Sequence, residues 1–172
     1  MSKLFVRATN WVGDAVMSLP AIRAIRFQFP KAELVLVAKP WVADVYTHEK
    51  SIDRVIPYVA QGWREKLGFG LHLGKENFDC AILLQNAFDA AAMAWLSGAT
   101  VRIGYARDGR SRLLTHPIAV PEKGEIPRHE RFYYLELLRR AGIIERFPEC
   151  DSIRFENVDA ICAFGRKTLD IL

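Results

Sequence analysis

The sequence predicts an α/β protein, a three-layer Rossmann-like fold whose mostly parallel sheet is covered by helices on both faces. Three observations carry that prediction. An apolar run, Leu4-Phe5-Val6, empties through Gly13-Asp14 into a long helical pattern, the first turn of an open α/β unit. Glu33 to Ala38 is a nearly continuous apolar strand, as expected in a parallel sheet buried on both faces. Strand and helix patterns then alternate along the chain, as successive βα units do.

The elements follow in order. Lys3 to Ala8 reads as the first strand. From Asp14 to Phe29 apolar residues recur at helical spacing (Val16, Leu19, Ile22, Ile25, Phe29), and Pro30 ends the run. Pro20 inside it is expected to kink the helix or to restart it. Trp41 to His48, after Pro40, reads as a short helix, and Asp53 to Tyr58 as a third strand. Gln61 to Lys75 is a helix despite Gly68, Gly70 and Gly74, each of which costs about 1 kcal/mol relative to alanine in a helix interior. Phe78 to Leu84 is the clearest central strand. Ala90 to Leu96 is a small-residue helix ended by Gly98, and Val101 to Tyr105 another strand. Gly104 and Gly109 suggest a mobile loop beyond it, tethered by Leu113 and Leu114. Ile118 to Val120 makes a short strand, Pro121 to Pro127 a polar turn, and His129 to Ala141 an amphipathic helix ended by Gly142. Ile153 and Phe155 form a short apolar pair, and Asn157 to Leu172 reads as helix.

Composition bounds the function. The 172 residues suit one domain, 1–172, and with 51% apolar residues it can bury a sizeable core. A formal net charge of +4 is compatible with an anionic partner. Cys80, Cys150 and Cys162 lack metal-ligand spacing and read as reduced thiols of a cytosolic protein, so no metal site is expected. No apolar run approaches the ~20 residues that cross a bilayer. Met1 to Arg7 lead straight into a strand with no signal-peptide pattern, which points to a cytoplasmic location. The first turn lacks Gly-x-Gly-x-x-Gly, which weighs against a dinucleotide-binding Rossmann domain, and no nucleic-acid recognition motif is present.

The chemistry-bearing residues gather at predicted carboxyl ends of strands, where open α/β sheets bind ligands. Asp14 is the carboxylate of the first turn. It is placed to act as a general base, and on local chemistry alone an ordinary helix cap is the commoner reading of such a carboxylate. Asn10 and Trp11 flank it, readable as a turn amide and a packed ring or as ligand contacts. Gly13 suits a demand of backbone geometry. Gln85 and Asn86 end the central strand. Arg102, Arg107, Arg110, Arg112 and His116 form a basic segment with Asp108 as its one acid, either a solvated surface or guanidinium forks for carboxylates or phosphates. Arg128, His129 and Arg131 form a second basic cluster, where positive charge opposes the helix dipole.

The run Asn10-Trp-Val-Gly-Asp-Ala-Val-Met-Ser-Leu-Pro-Ala-Ile-Arg-Ala-Ile-Arg26 closely resembles the opening of the ADP-heptose:lipopolysaccharide heptosyltransferases, the heptosyltransferase II family most of all. Arg102 to His116 resembles that family's acceptor-side loop. The resemblance implies the N-terminal, acceptor-binding half of a two-domain GT-B glycosyltransferase that transfers heptose from ADP-heptose to the lipopolysaccharide inner core. It makes Asp14 the catalytic base. It makes Asn10, Trp11, Gly13, Gln85, Asn86, Arg107, Arg110 and Arg112 substrate-binding residues. Gln85-Asn-Ala-Phe-Asp89 departs from the Pro-Asn-Ser-Phe of many relatives. The resemblance implies no cofactor and no nucleic-acid partner. ADP-heptose would be held by a C-terminal domain absent from these 172 residues, leaving the isolated domain inactive, and peripheral contact with the inner face of the inner membrane would follow from the acceptor. The alternatives are a nucleotide-binding Rossmann domain and a non-enzymatic module for anionic ligands.

Overall fold

The computed structural model describes residues 1–148. Cys150, Cys162, the Ile153/Phe155 pair and the expected helix from Asn157 lie outside the described residues. Within them the strands are β1 (Lys3–Arg7), β2 (Glu33–Ala38), β3 (Arg54–Pro57), β4 (Cys80–Leu83), β5 (Val101–Tyr105) and β6 (His116–Ile118). The helices are α1 (Val12–Gln28), α2 (Pro40–Tyr46), α3 (Trp63–Gly74), α4 (Phe88–Leu96) and α5 (Arg131–Arg140). The six strands form one sheet in the order β3-β2-β1-β4-β5-β6, and every pairing is parallel. The order reverses between β1 and β4. The crevice at their carboxyl ends is therefore the switch point where doubly wound sheets take ligands.

Two cores flank the sheet, because alternate side chains of a strand point to opposite faces. Leu4 and Val6 of β1, with Leu34 and Leu36 of β2, pack under α1, α2 and α5. Phe5, Val35, Val37, Ala81 and Leu83 face α3 and α4. Cys80 is buried and free, and burial pushes its thiol up to about 12, as an inert core thiol requires.

Three expectations need correction. Helix α1 runs unbroken through Pro20, so the restart does not occur. Pro20 removes only the hydrogen bond it would have donated, and it is buried on the inner face of the helix with Leu19 and Ala21. The short sixth strand lies at His116–Ile118, earlier than the expected 118–120, because its pairing with Ile103-Gly104-Tyr105 sets the register. The arginine-rich loop is the crossover that joins the parallel strands β5 and β6. It contains a 3-10 turn, Arg110–Leu113, entered through Asp108 and Gly109 with φ of 54° and 72°.

In α3, Gly70 has a structural reason. A Cβ there would lie 2.8 Å from Leu96 Cβ, so α3 and α4 approach backbone to side chain. A Cβ at Gly68 would meet nothing within 4 Å.

Candidate functional site

The site is built at the carboxyl ends of β1 and β4. Backbone conformation starts α1 at Trp11, which is extended (φ −114°, ψ 141°) and caps the helix without a side-chain hydrogen bond. Asp14 falls in the first turn, half-buried. Among the described residues it accepts no hydrogen bond and pairs with no cation, so the capping alternative is not realised. Its charge still suits the positive end of the α1 dipole. Trp11 is exposed beside it, and so is Gly13. The expectation that backbone geometry demands Gly13 is not met: it lies within the helix without a positive φ, and a Cβ would meet nothing within 4 Å. The first turn of α1 is open to whatever approaches Asp14.

Two buried arginines hold the two strand ends. Arg7, at the end of β1, donates through Nη2 to Asn10 Oδ1 at 2.7 Å and through Nη1 to the Ala8 carbonyl at 2.5 Å. Trp41 Nε1 donates to the Asn10 carbonyl at 2.9 Å. Arg110, fully buried, donates to the carbonyls of Tyr105 at 2.9 Å and Gln85 at 2.5 Å, and to Asn86 Oδ1 at 2.9 Å. Asn86 Nδ2 in turn donates to the Tyr133 hydroxyl at 2.9 Å, tying the end of β4 to α5. Burial pulls the Arg110 guanidinium down to about 10. Its fork is spent inside the protein because the short β5-to-β6 crossover packs around it. As placed, Arg110 is a positioning residue for Asn86, not an open fork for a ligand.

The other two arginines of the crossover do face solvent. Arg107 lies 3.4 Å from the Asp108 carboxylate, and a hydrogen bond with Tyr133, ahead of the Asp108 charge, holds it above its ordinary value. Arg112 is exposed and, among the described residues, has no hydrogen-bond or ion-pair partner. Arg102 is turned back on the crossover, donating to the carbonyls of Leu113 at 2.7 Å and Ala99 at 2.6 Å. A cavity of about 510 Å³ opens beside Tyr133, lined among others by Lys123, Arg128, His129 and Glu130. Glu130 at its wall is raised above its ordinary value, first by desolvation and then by the Asp14 charge. Burial first, then Asp14 and Glu130, also raises the Tyr134 phenol. A second carboxylate at the start of α5 thus lies within electrostatic reach of Asp14. Among the described residues no group of His, Cys, Asp and Glu is arranged to hold a metal ion.

The structure brings together Asn10, Trp11, Gly13 and Asp14 at the end of β1, and Gln85, Asn86, Arg107 and Tyr133 across the switch point. Arg7, Tyr133 and Glu130 were missed as site residues. Arg7 carried a signal, a charge closing an otherwise apolar buried strand. Tyr133 and Glu130 carried none, since their place depends on how α5 packs on α1.

Residues 67–135 match the model of Glycosyltransferase family 9 (heptosyltransferase). Over 118 residues the chain is 28% identical to Lipopolysaccharide heptosyltransferase 2 of Escherichia coli strain K12, an alignment covering 65% of this chain and 33% of that protein. The chain thus spans about a third of the length of the curated relatives it matches. Among solved structures, the family 9 glycosyl transferase of Veillonella parvula superposes with a TM-score of 0.80 at 16% identity, over 96% of this chain and 48% of that one. The E. coli ADP-heptose lps heptosyltransferase II gives 0.77 at 21% identity, over 97% and 50%. The Rossmann-like fold of this chain is that of one half of those structures.

Proposed function

We propose that this chain supplies the acceptor side and the catalytic base for transfer of heptose from ADP-heptose to the lipopolysaccharide inner core. Residues 1–172 form a single acceptor-binding domain in this reading, and the sugar nucleotide is held by a second domain across the crevice. The observation that carries it is Asp14, half-buried at the switch point and without a partner among the described residues. A carboxylate so placed takes the proton of the acceptor hydroxyl as its oxygen bonds to the anomeric carbon. The bond from that carbon to the diphosphate oxygen breaks, and ADP leaves with the electron pair. Asn10 and Asn86, their amides fixed by Arg7 and Arg110, border the reacting hydroxyl. Arg107 and Arg112 face the acceptor's carboxylates and phosphates, and Trp11 offers a ring to its sugar. The relatives act on lipopolysaccharide or lipooligosaccharide by name, which supports a lipid-borne acceptor. Such an acceptor places the chain in the cytoplasm, in peripheral contact with the inner face of the inner membrane. No helix among the described residues is long and apolar enough to cross it.

The test is Asp14→Asn and Asp14→Ala in the two-domain enzyme. Turnover should fall about 100-fold or more, on the usual scale for a general base, with the melting temperature unchanged. Near-normal turnover in a folded variant would overturn the assignment.

A further inference from the structure

The proposed chemistry uses Asp14 and the β4 side of the crevice, and leaves unexplained a concentration of positive charge on the β2–β3 side. Arg7 is 1% exposed and, among the described residues, has no carboxylate partner, and its Nε finds no hydrogen-bond acceptor. Its guanidinium carbon stands 4.9 Å from the centre of the Tyr58 ring. Lys39, at the end of β2, places its ammonium 4.3 Å from the centre of the same ring and 5.7 Å from that of Trp41. It too lacks a carboxylate, reaching only the Ala60 carbonyl at 3.4 Å. The neighbouring Lys66 is already matched by Asp89 at 2.9 Å. The Tyr58 hydroxyl, buried beside Asp89, completes no hydrogen bond. Two cations therefore share one ring, and the one carboxylate whose charge reaches them, Asp89, is already paired with Lys66. Burial, and then for Lys39 the charge of Arg7, pulls both below their ordinary values, Arg7 to about 10.

A buried charge is costly to leave unpaired. Among the described residues Asp89 alone opposes Arg7, Lys39 and Lys66 together, so the cluster is short of negative charge. The missing charge must be negative and must arrive at the open side, where Lys39 is partly exposed. Asn10 borders the same place. Arg7 occupies its Oδ1, which leaves the amide Nδ2 as the free donor. Trp41 fixes the Asn10 backbone from the other side.

We propose that Lys39 and the Asn10 amide, over the buried charge of Arg7, form an oxyanion subsite separate from the Arg107–Arg112 loop. It takes a phosphate or a carboxylate carried by a substrate of the proposed transfer. That assignment of the anion's bearer rests on the function proposed above; the existence of the subsite does not.

The experiment is calorimetric titration of inorganic phosphate, and in a second arm of sodium acetate, into the 172-residue chain at low ionic strength. Saturable 1:1 binding of one or both is expected. A preference for phosphate assigns the subsite to a phosphorylated group, and a preference for acetate assigns it to a sugar acid. Lys39→Met should weaken binding at least tenfold, whereas Lys31→Met, which removes an exposed charge elsewhere, should not. Arg7→Met should do the same as Lys39→Met while its thermal melt stays cooperative, because a methionine needs no counter-ion. Absence of saturable binding of either ion, or equal affinity in wild type and Lys39→Met, overturns the proposal. Because the readout is a free ion, that failure is distinct from any failure of the Asp14 kinetics.

Discussion

Two of the crossover arginines, Arg110 and Arg112, are two residues apart and do opposite things. Arg110 is enclosed, with its fork on three acceptors from two segments, the ends of β4 and β5. Removing it leaves those acceptors buried and unsatisfied, at ~1–3 kcal/mol each by the usual cost of an orphaned group. Arg110→Ala should therefore lower stability by about 3 kcal/mol or more in denaturant unfolding, and Arg110→Lys should recover little, since an ammonium cannot reproduce the planar fork. Arg112→Ala should stay within ~0.5 kcal/mol of wild type, as exposed substitutions do. In the two-domain enzyme it should instead raise the acceptor KM, an effect that shrinks with added salt. A stability loss at Arg112 matching that at Arg110 would sink the distinction. The sequence showed a basic segment and could not separate these roles, because burial of one arginine follows from the crossover closing over it. Asp14 was legible for a different reason. A carboxylate one residue past a glycine, at the exit of a buried strand, occupies the crevice in any fold of this topology.

Single glycines decide how two helices meet. Sequence pattern alone placed a helix over 61–75, and the structure keeps it at Trp63–Gly74 despite Gly68 and Gly70. The two glycines look alike in the chain and differ in what surrounds them. Gly68→Ala adds a methyl in open space and lowers the entropy of the unfolded chain, so it should stabilise by about 0.5–1 kcal/mol. Gly70→Ala gains the same propensity but drives its Cβ into Leu96 Cβ, which cannot rotate away. Overpacking of that kind costs ~1–3 kcal/mol, so the net change should be destabilising. Paired thermal melts check it, and two variants shifting in the same direction would refute the packing at Leu96. Pro20 teaches a similar lesson. Its local penalty forecast a kink or a restart, yet α1 is long and buries Leu19, Ile22 and Ile25 on the first core, and that packing outweighs one lost hydrogen bond.

The parallel sheet gives the whole molecule two unlike edges. The carboxyl edge carries Asp14, the braced asparagines and the unpaired cations. The amino edge carries paired charges. Glu76 accepts from Arg54 Nη2 at 2.7 Å and Lys3 Nζ at 2.6 Å. Asp79 accepts from the backbone amides of Ser2 at 2.6 Å and Lys3 at 3.0 Å. The hydrogen bonds from Arg54, then Lys3, pull Glu76 down to about 2, and the backbone bonds from Lys3, then Ser2, do the same to Asp79. Both carboxylates bind protons less readily in the folded protein than at their ordinary values of 4.5 and 3.8. Their contribution to stability is therefore complete above pH 4.5 and disappears as the pH falls through about 2. The melting temperature should decline across that interval. The double variant Glu76→Gln, Asp79→Asn should be less stable at neutral pH and should decline less on acidification, because it has no proton left to take up at these two sites. Glu76 is partly solvated, so its share is smaller than its displacement alone would imply. An acid limb equally steep in the double variant would mean that acid acts elsewhere, and that the amino edge is held by its backbone pairing instead of by these two carboxylates.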